Sequence, residues 1–297
     1  MRCSAGDAAC LRMEREDEET MDIRYLPDDR TYERWSTEEI RRAFLMERLF
    51  VPGAVTMVYC DADRAIAGGA VPAGSPLALK ATKKEMAANF FTERREVGVV
   101  NLGGDGVVRT DGVDHALRAR DMLYIGRGTK DVLFSSVKSD APALFYFASY
   151  PAHASYPTML APHENVDRSH LGAMETANKR IINRYIHTGG VKSCQLVMGL
   201  TELAPGSVWN TMPPHTHQRR MEIYLYTGLG EQDLVVHLMG RPDATRNVLV
   251  RDMQAVISPP WSIHCAAGTK NYVFVWAMGG ENQEFGDMDA VAVSDLK

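Results

Sequence analysis

From Thr37 to Phe50, in TEEIRRAFLMERLF, the apolar residues Ile40, Phe44, Leu45 and Leu49 recur at helical spacing, with acids near the start and Pro52 just beyond the end. That period, with Thr37 as the cap, predicts a helix over 37–50. Past Pro52 the texture changes. VTMVYC, VGVVNL, GVVRTDG, MLYIGRG, DVLFSSV and ALFYFASY are short β-branched or aromatic stretches set off by glycine, as in a sandwich or barrel. After a polar, proline-containing stretch near residues 157–178 the same texture resumes in CQLVMGLTEL, MEIYLYTG, LVVHLMG, NVLVRD, AVISPP and YVFVWAMGG. The expectation is a mainly β chain with a few short helices.

The two halves echo one another. RREVGVVNL (Arg94–Leu102) resembles RRMEIYLY (Arg219–Tyr226), and ARDMLYIGRG (Ala119–Gly128) resembles VRDMQAVISPP (Val250–Pro260). A repeat of domain length reads as two copies of one β-barrel unit. We divide the chain into an N-terminal domain over 21–172 and a C-terminal domain over 173–297. Residues 1–20 carry a dense charge run with almost no apolar periodicity and are expected to be a disordered extension.

Composition narrows the function classes. A net charge of −5, from 33 basic and 38 acidic residues, offers no block to lay along a phosphate backbone, so nucleic acid is excluded as an expected partner. No apolar run approaches the roughly 18 to 20 residues of a membrane span, and the expected location is cytoplasmic. Five scattered cysteines without a CxxC pair read as reduced thiols. Cys265 follows His264, but neighbours on an extended segment face opposite ways, which argues against it as a ligand.

PPHTHQRRMEIYLY holds His215, His217 and Glu222. Residues two apart share a face on a strand and oppose each other on a helix, so an HxH pair chelates one ion only if extended. Glu222 lies five residues beyond His217, the wrong parity for one flat strand, so the Gln218–Arg220 stretch has to bend. A fourth donor, His264, sits in SPPWSIHCAAG. An isolated histidine is ordinarily a surface or core residue, but this combination in a β background points to a metal site. On softness, three imidazoles and one carboxylate suit zinc, manganese, iron or nickel equally.

HxH, then Glu, then a distant His resembles the two motifs of the cupin superfamily. Eight residues rather than five separate Gly206 from His215, and Trp261 stands where the second motif usually has glycine. TELAPGSVWNTMPPHTHQRRMEIYLY, QAVISPPWSIHCAAGTKNYVFVWAMGGENQ, the closing DMDAVAV and FFTERREVGVVNLGG resemble the 5-keto-4-deoxyuronate isomerase family, from about Met21 onward. The resemblance implies two tandem cupin barrels of the double-stranded β-helix, or jelly-roll, type. It also implies one zinc-type ion per chain on His215, His217, Glu222 and His264, a hexamer, and aldose–ketose isomerisation of a deoxyuronate in pectin breakdown. The first half has no HxH, and its echo Arg94, Arg95, Glu96 offers one carboxylate and no imidazole, so the N-terminal cupin is expected to be metal-free.

Such an isomerisation needs groups to move a proton and to hold a carboxylate. On a regular strand Tyr224 and Tyr226 share the face of Glu222, which makes them candidate proton donors or lining residues. Arg219, Arg220, Arg180 or Lys179 could meet the substrate carboxylate by a bidentate contact. His237, within an apolar strand, reads as a core histidine or a support to the ligands. A cupin dioxygenase, another sugar isomerase or a non-catalytic sugar-acid-binding bicupin would use the same ligands.

Overall fold

The computed structural model describes residues 21–80 and 83–297. The expectation for residues 1–20 falls outside them. The described chain is mainly strand, and its two halves repeat one architecture. In the first, a seven-stranded sheet runs Met21–Arg24, Val55–Cys60, Ile66–Ala70, Phe145–Pro151, Arg95–Asn101, Met122–Ile125 and Met159–Ala161 from edge to edge. In the second, the corresponding order is Asp167–Leu171, Arg180–Ile186, Val197–Leu203, Val273–Gly280, Arg220–Thr227, Gln254–Ser258 and Leu45–Met46. Each sheet faces a four-stranded one. These are Leu77–Ala78, Val132–Ser136, Gly106–Thr110 and Val113–Leu117 in the first half, and Trp209–Asn210, Ile263–Gly268, Val235–Arg241 and Ala244–Val250 in the second. The strands change sheet between Ala161 and Asp167, ahead of the division drawn at 172.

Alternation along each strand divides its side chains between two layers. On Arg95–Asn101, Val97 and Val99 join Phe134, Phe145 and Phe147 inside the first barrel. Val100, on the other face, belongs with Tyr124, Tyr146 and Tyr150 to a layer packed against Ile186, Leu196 and Met198 of the second half. The two seven-stranded sheets therefore meet back to back. Gly98 lies at a close approach in that contact, where a Cβ would come 2.6 Å from Met198 Sδ and 2.8 Å from Leu196. Glu96 faces the same way and binds the second half directly. Its carboxylate accepts the backbone N–H groups of Cys194, Gln195 and Leu196 at 2.7, 2.8 and 2.8 Å, and the Tyr124 hydroxyl at 2.7 Å.

The expected helix over 37–50 is shorter than its periodicity implies. It spans Thr37–Phe44, and its cap is Ser36 rather than Thr37. The Ser36 hydroxyl accepts from Glu39 N, and the Glu39 carboxylate accepts from Ser36 N, a reciprocal capping box. Leu45, which fits the helical stripe, and Met46 beside it instead pair with Val256 and Ala255 at the edge of the second sheet. Nearby, Tyr32 stacks on Trp261 at 4.8 Å, donates to Ala244 O and accepts from Arg241 N. A segment from the start of the described chain thus closes the edge of the second barrel. The first barrel fills the same edge with Met159–Ala161.

Candidate metal centre

Three strands and one turn bring the expected donors together. His215 lies on the short strand His215–Thr216, which pairs with Asp289–Ala290 from the closing DMDAVAV. The bend that parity demands is a turn at Gln218–Arg219, where Arg220 N donates to His217 O at 3.3 Å and the central strand Arg220–Thr227 begins. Glu222 is carried on that strand, and His264 comes from Ile263–Gly268 of the facing sheet. The ligand atoms of His215, His217, Glu222 and His264 all lie within 4.8 Å of one another. His264 Nε2 is 2.9 Å from Glu222 Oε2 and 3.0 Å from His215 Nε2, and His217 Nε2 is 3.2 Å from Glu222 Oε2. Cys265, the next residue, is buried outside the cluster, and burial pushes its thiol up to about 12.

The donor chemistry fits a dication. His217 donates Nδ1–H to Arg220 O at 2.7 Å, and His264 donates Nδ1–H to Ser262 O at 3.4 Å. In the neutral form that a metal ion would bind, each ring's bare Nε2 would then be turned on the cluster, the support that metal-binding imidazoles ordinarily have. Burial holds His215 down to about 3. Burial would raise Glu222, but the charges and hydrogen bonds of His264 and His217 hold its carboxyl well below the usual range. Burial would likewise lower His217, yet its hydrogen bond to Glu222 carries it above the ordinary imidazole value.

These shifts have a consequence for acid stability once metal is removed. His237, like His215, is held by burial at about 3 against an ordinary 6.5. Below 6.5 an unfolded chain takes up protons that both folded rings refuse, so stability falls as pH drops from 6.5 toward 3 and is level, for these two groups, above 6.5. His217, shifted the other way, adds stability that is complete below 6.5 and is lost as pH rises through its folded value, so it does not offset the acid slope. Chelator-treated protein is expected to show a melting temperature that declines steadily from pH 6.5 to pH 4.5, whereas an unchanged one would contradict this burial.

A cavity of about 250 Å³ opens on the centre. His215, Arg220, Glu222 and Tyr224 line one part of it, and Arg180, at the start of its strand, lines another. The Tyr224 hydroxyl lies 3.3 Å from Thr211 Oγ1, and burial, followed by the nearby Glu222 charge, pushes it well above its usual value. It therefore holds its proton. Tyr226, on the same face one pair further along, is outside the cavity, where its hydroxyl meets His237 Nδ1 at 2.7 Å. Arg219 is also outside, committed to Asp287 and Asp289. Arg220 is fully buried and donates to Glu284 O at 2.7 Å and Asp287 O at 3.0 Å. Lys179 is exposed, with no place in the cavity wall. Thr201, Thr211 and Trp276 are wall residues that lie in the segments resembling the family but that their chemistry and spacing alone do not single out. A larger open groove of about 1040 Å³ beside Met21–Arg24 and the helix holds no such donor cluster among the described residues.

Two jelly-roll barrels in tandem, with three imidazoles and a carboxylate converging in the second, define a bicupin with a metal-type centre in its C-terminal barrel. The chain belongs to the KduI/IolB family, whose model matches residues 45–294. It is 51% identical over 277 residues to the 4-deoxy-L-threo-5-hexosulose-uronate ketol-isomerase of Opitutus terrae, and 49% identical over 277 residues to that of Lachnoclostridium phytofermentans. Each match takes in 93% of this chain and 100% of the relative. Among solved structures, an IolB-like protein from Salmonella typhimurium LT2 superposes with a TM-score of 0.66 at 14% identity, over 84% of this chain and 96% of the other. The Lactobacillus farciminis oxalate decarboxylase gives 0.56 at 10% identity, over 84% and 88%. At such identities these two structures speak for the fold alone.

Proposed function

We propose that the protein interconverts 5-dehydro-4-deoxy-D-glucuronate and 3-deoxy-D-glycero-2,5-hexodiulosonate, an aldose–ketose isomerisation in pectin and uronate degradation. The observation that carries this reading is the convergence of His215, His217, Glu222 and His264 on one cavity, in a chain half identical to named ketol-isomerases along nearly its whole length. Zinc is our choice for the ion, one per chain. A hexameric assembly and a cytoplasmic location, implied by the family resemblance, belong to the same reading.

Moving the carbonyl from C1 to C2 requires loss of the C2 proton, stabilisation of an enediolate and return of a proton to C1. A dication, when bound, polarises the two oxygens and lowers the barrier to enolisation. Tyr224 is the group we assign to hydrogen-bond the developing oxyanion, because it lines the cavity and its hydroxyl keeps its proton. Glu222 is committed to its imidazole neighbours and is not a free base. Tyr226 and Arg219, engaged elsewhere, take no direct part in this scheme. Arg220 braces the segment that carries Asp287 and the closing strand, and so positions His215.

The test is a coupled assay on the unsaturated galacturonate breakdown product, with and without chelator, run also in deuterated water. Chelator-sensitive turnover with deuterium at C1 of the ketose is expected, since the proton taken from C2 exchanges with solvent before a proton is returned. Full retention of the substrate hydrogen would mean a hydride shift and remove the role given to Tyr224. Oxygen consumption by the iron-loaded protein would replace the isomerase with a cupin dioxygenase.

A further inference from the structure

The first barrel contains a cavity of about 420 Å³ in the place corresponding to the metal cavity of the second. Five strands of the first sheet contribute to its wall through Ile23, Tyr59, Ile66, Arg95 and Pro151. Their five counterparts in the second sheet line the metal cavity through Leu171, Arg180, Thr201, Glu222 and Met278. Strand pairing makes the correspondence more exact. Val97 pairs with Ile125 as Tyr224 pairs with Val256, and Ile125 and Val256 are equivalent in the repeated ARDM and VRDM segments. Counting back two residues on each strand, Arg95 stands where Glu222 stands. A buried cation replaces the buried carboxylate.

Arg95 is 8% exposed. Its Nε donates to Ser149 Oγ at 3.0 Å and its Nη2 to Ser149 O at 2.8 Å and to Arg64 O, while Nη1 makes no hydrogen bond among the described residues. No carboxylate forms an ion pair with it among the described residues, and burial pulls its guanidinium down to about 10. Leaving a desolvated cation without a counter-charge is costly, and a bound anion removes the cost. Arg64 and Arg94 stand on the rim of the same cavity with one acid, Glu85, and Tyr59 and Phe91 supply apolar wall.

We propose that this cavity is a second ligand site, which holds a small organic monocarboxylate with its carboxylate on Arg95 and its body against Tyr59 and Phe91. One buried guanidinium balances one negative charge, which favours a carboxylate over a phosphate dianion. The site is independent of the isomerase reading, since none of its residues touches the metal cluster.

The experiment is calorimetric titration of chelator-treated full-length protein with D-glucuronate, with inorganic phosphate and a neutral methyl glucoside as the other arms. Saturable binding of glucuronate is expected, with weaker binding of phosphate and none of the glucoside. Arg95→Met should weaken it by about 10- to 100-fold, the scale of a lost charged hydrogen-bond pair. Arg180→Met, in the other barrel, should leave it intact. If Arg95→Met does not fold, the rim pair Arg64→Ala with Arg94→Ala serves instead, and should weaken binding several-fold and flatten its dependence on salt. Absence of saturable glucuronate binding, binding that ignores both sets of changes, or preference for phosphate would each overturn the proposal.

Discussion

His264→Ala is expected to abolish metal retention and with it turnover, by more than the roughly 10- to 100-fold that changes to ligand-supporting residues cost. His264 is fully buried, and its Nε2 is close to both Glu222 Oε2 and His215 Nε2, so it stands at the middle of the cluster. Its loss removes one of four donors and also strips Glu222, whose carboxylate owes its depressed value largely to this ring and to His217. The remaining site would bind a dication more weakly and with stronger pH dependence. His215→Ala should follow the same course with a smaller effect on stability, because that ring is only part-buried. Elemental analysis of dialysed protein is the measurement, and full occupancy in both variants would remove the centre assigned here. Circular dichroism on the same samples separates loss of metal from loss of fold.

Glu96→Ala should be the most destabilising single change outside the metal centre, by about 3 to 5 kcal/mol. The carboxylate is fully buried and satisfies three consecutive backbone N–H groups, those of Cys194, Gln195 and Leu196, together with the Tyr124 hydroxyl. Truncation leaves those N–H donors buried without an acceptor in the layer between the barrels. Glu96→Gln keeps the volume but turns an amide NH₂ toward donors, so it should recover only part of the loss. Chemical denaturation would measure both. Equal stability of Glu96→Ala and the parent protein would mean that water replaces the carboxylate without cost.

Much of the architecture can be read directly in the chain. Short alternating stretches mark the strands, and the ARDM and VRDM segments mark the repeat, because register in a two-sided sheet ties sequence to position. The convergence of His215, His217, Glu222 and His264 was legible for the same reason. An HxH pair has one meaning on extended backbone, and the odd spacing to Glu222 demanded the turn found at Gln218–Arg219.

Where the reading fell short, a distant partner decided the outcome. Leu45 fits a helical stripe, but a strand edge some 200 residues away claims it, with Met46. Arg219 looked available for a substrate carboxylate until Asp287 and Asp289 folded back on it. The letters RRE and RRME suggested that Glu96 matches Glu222, whereas strand pairing offsets them by one residue. In an alternating strand one residue is a change of face, which sends Glu96 to the inter-barrel layer and Arg95 into the cavity.

The edge strand Leu45–Met46 also bears on how the chain is made. A ribosome releases it early, with Tyr32 just before it, yet Arg241, Ala244, Ala255 and Val256 emerge only near the end of translation. The first barrel can close while synthesis continues, since its strands end by Ala161. The edge strand cannot pair until Gln254–Ser258 of the second barrel has appeared, so Leu45 and Met46 wait without their strand partner through most of elongation. The Ser36 capping box lets the preceding turn form locally in the interval, with no distant partner required.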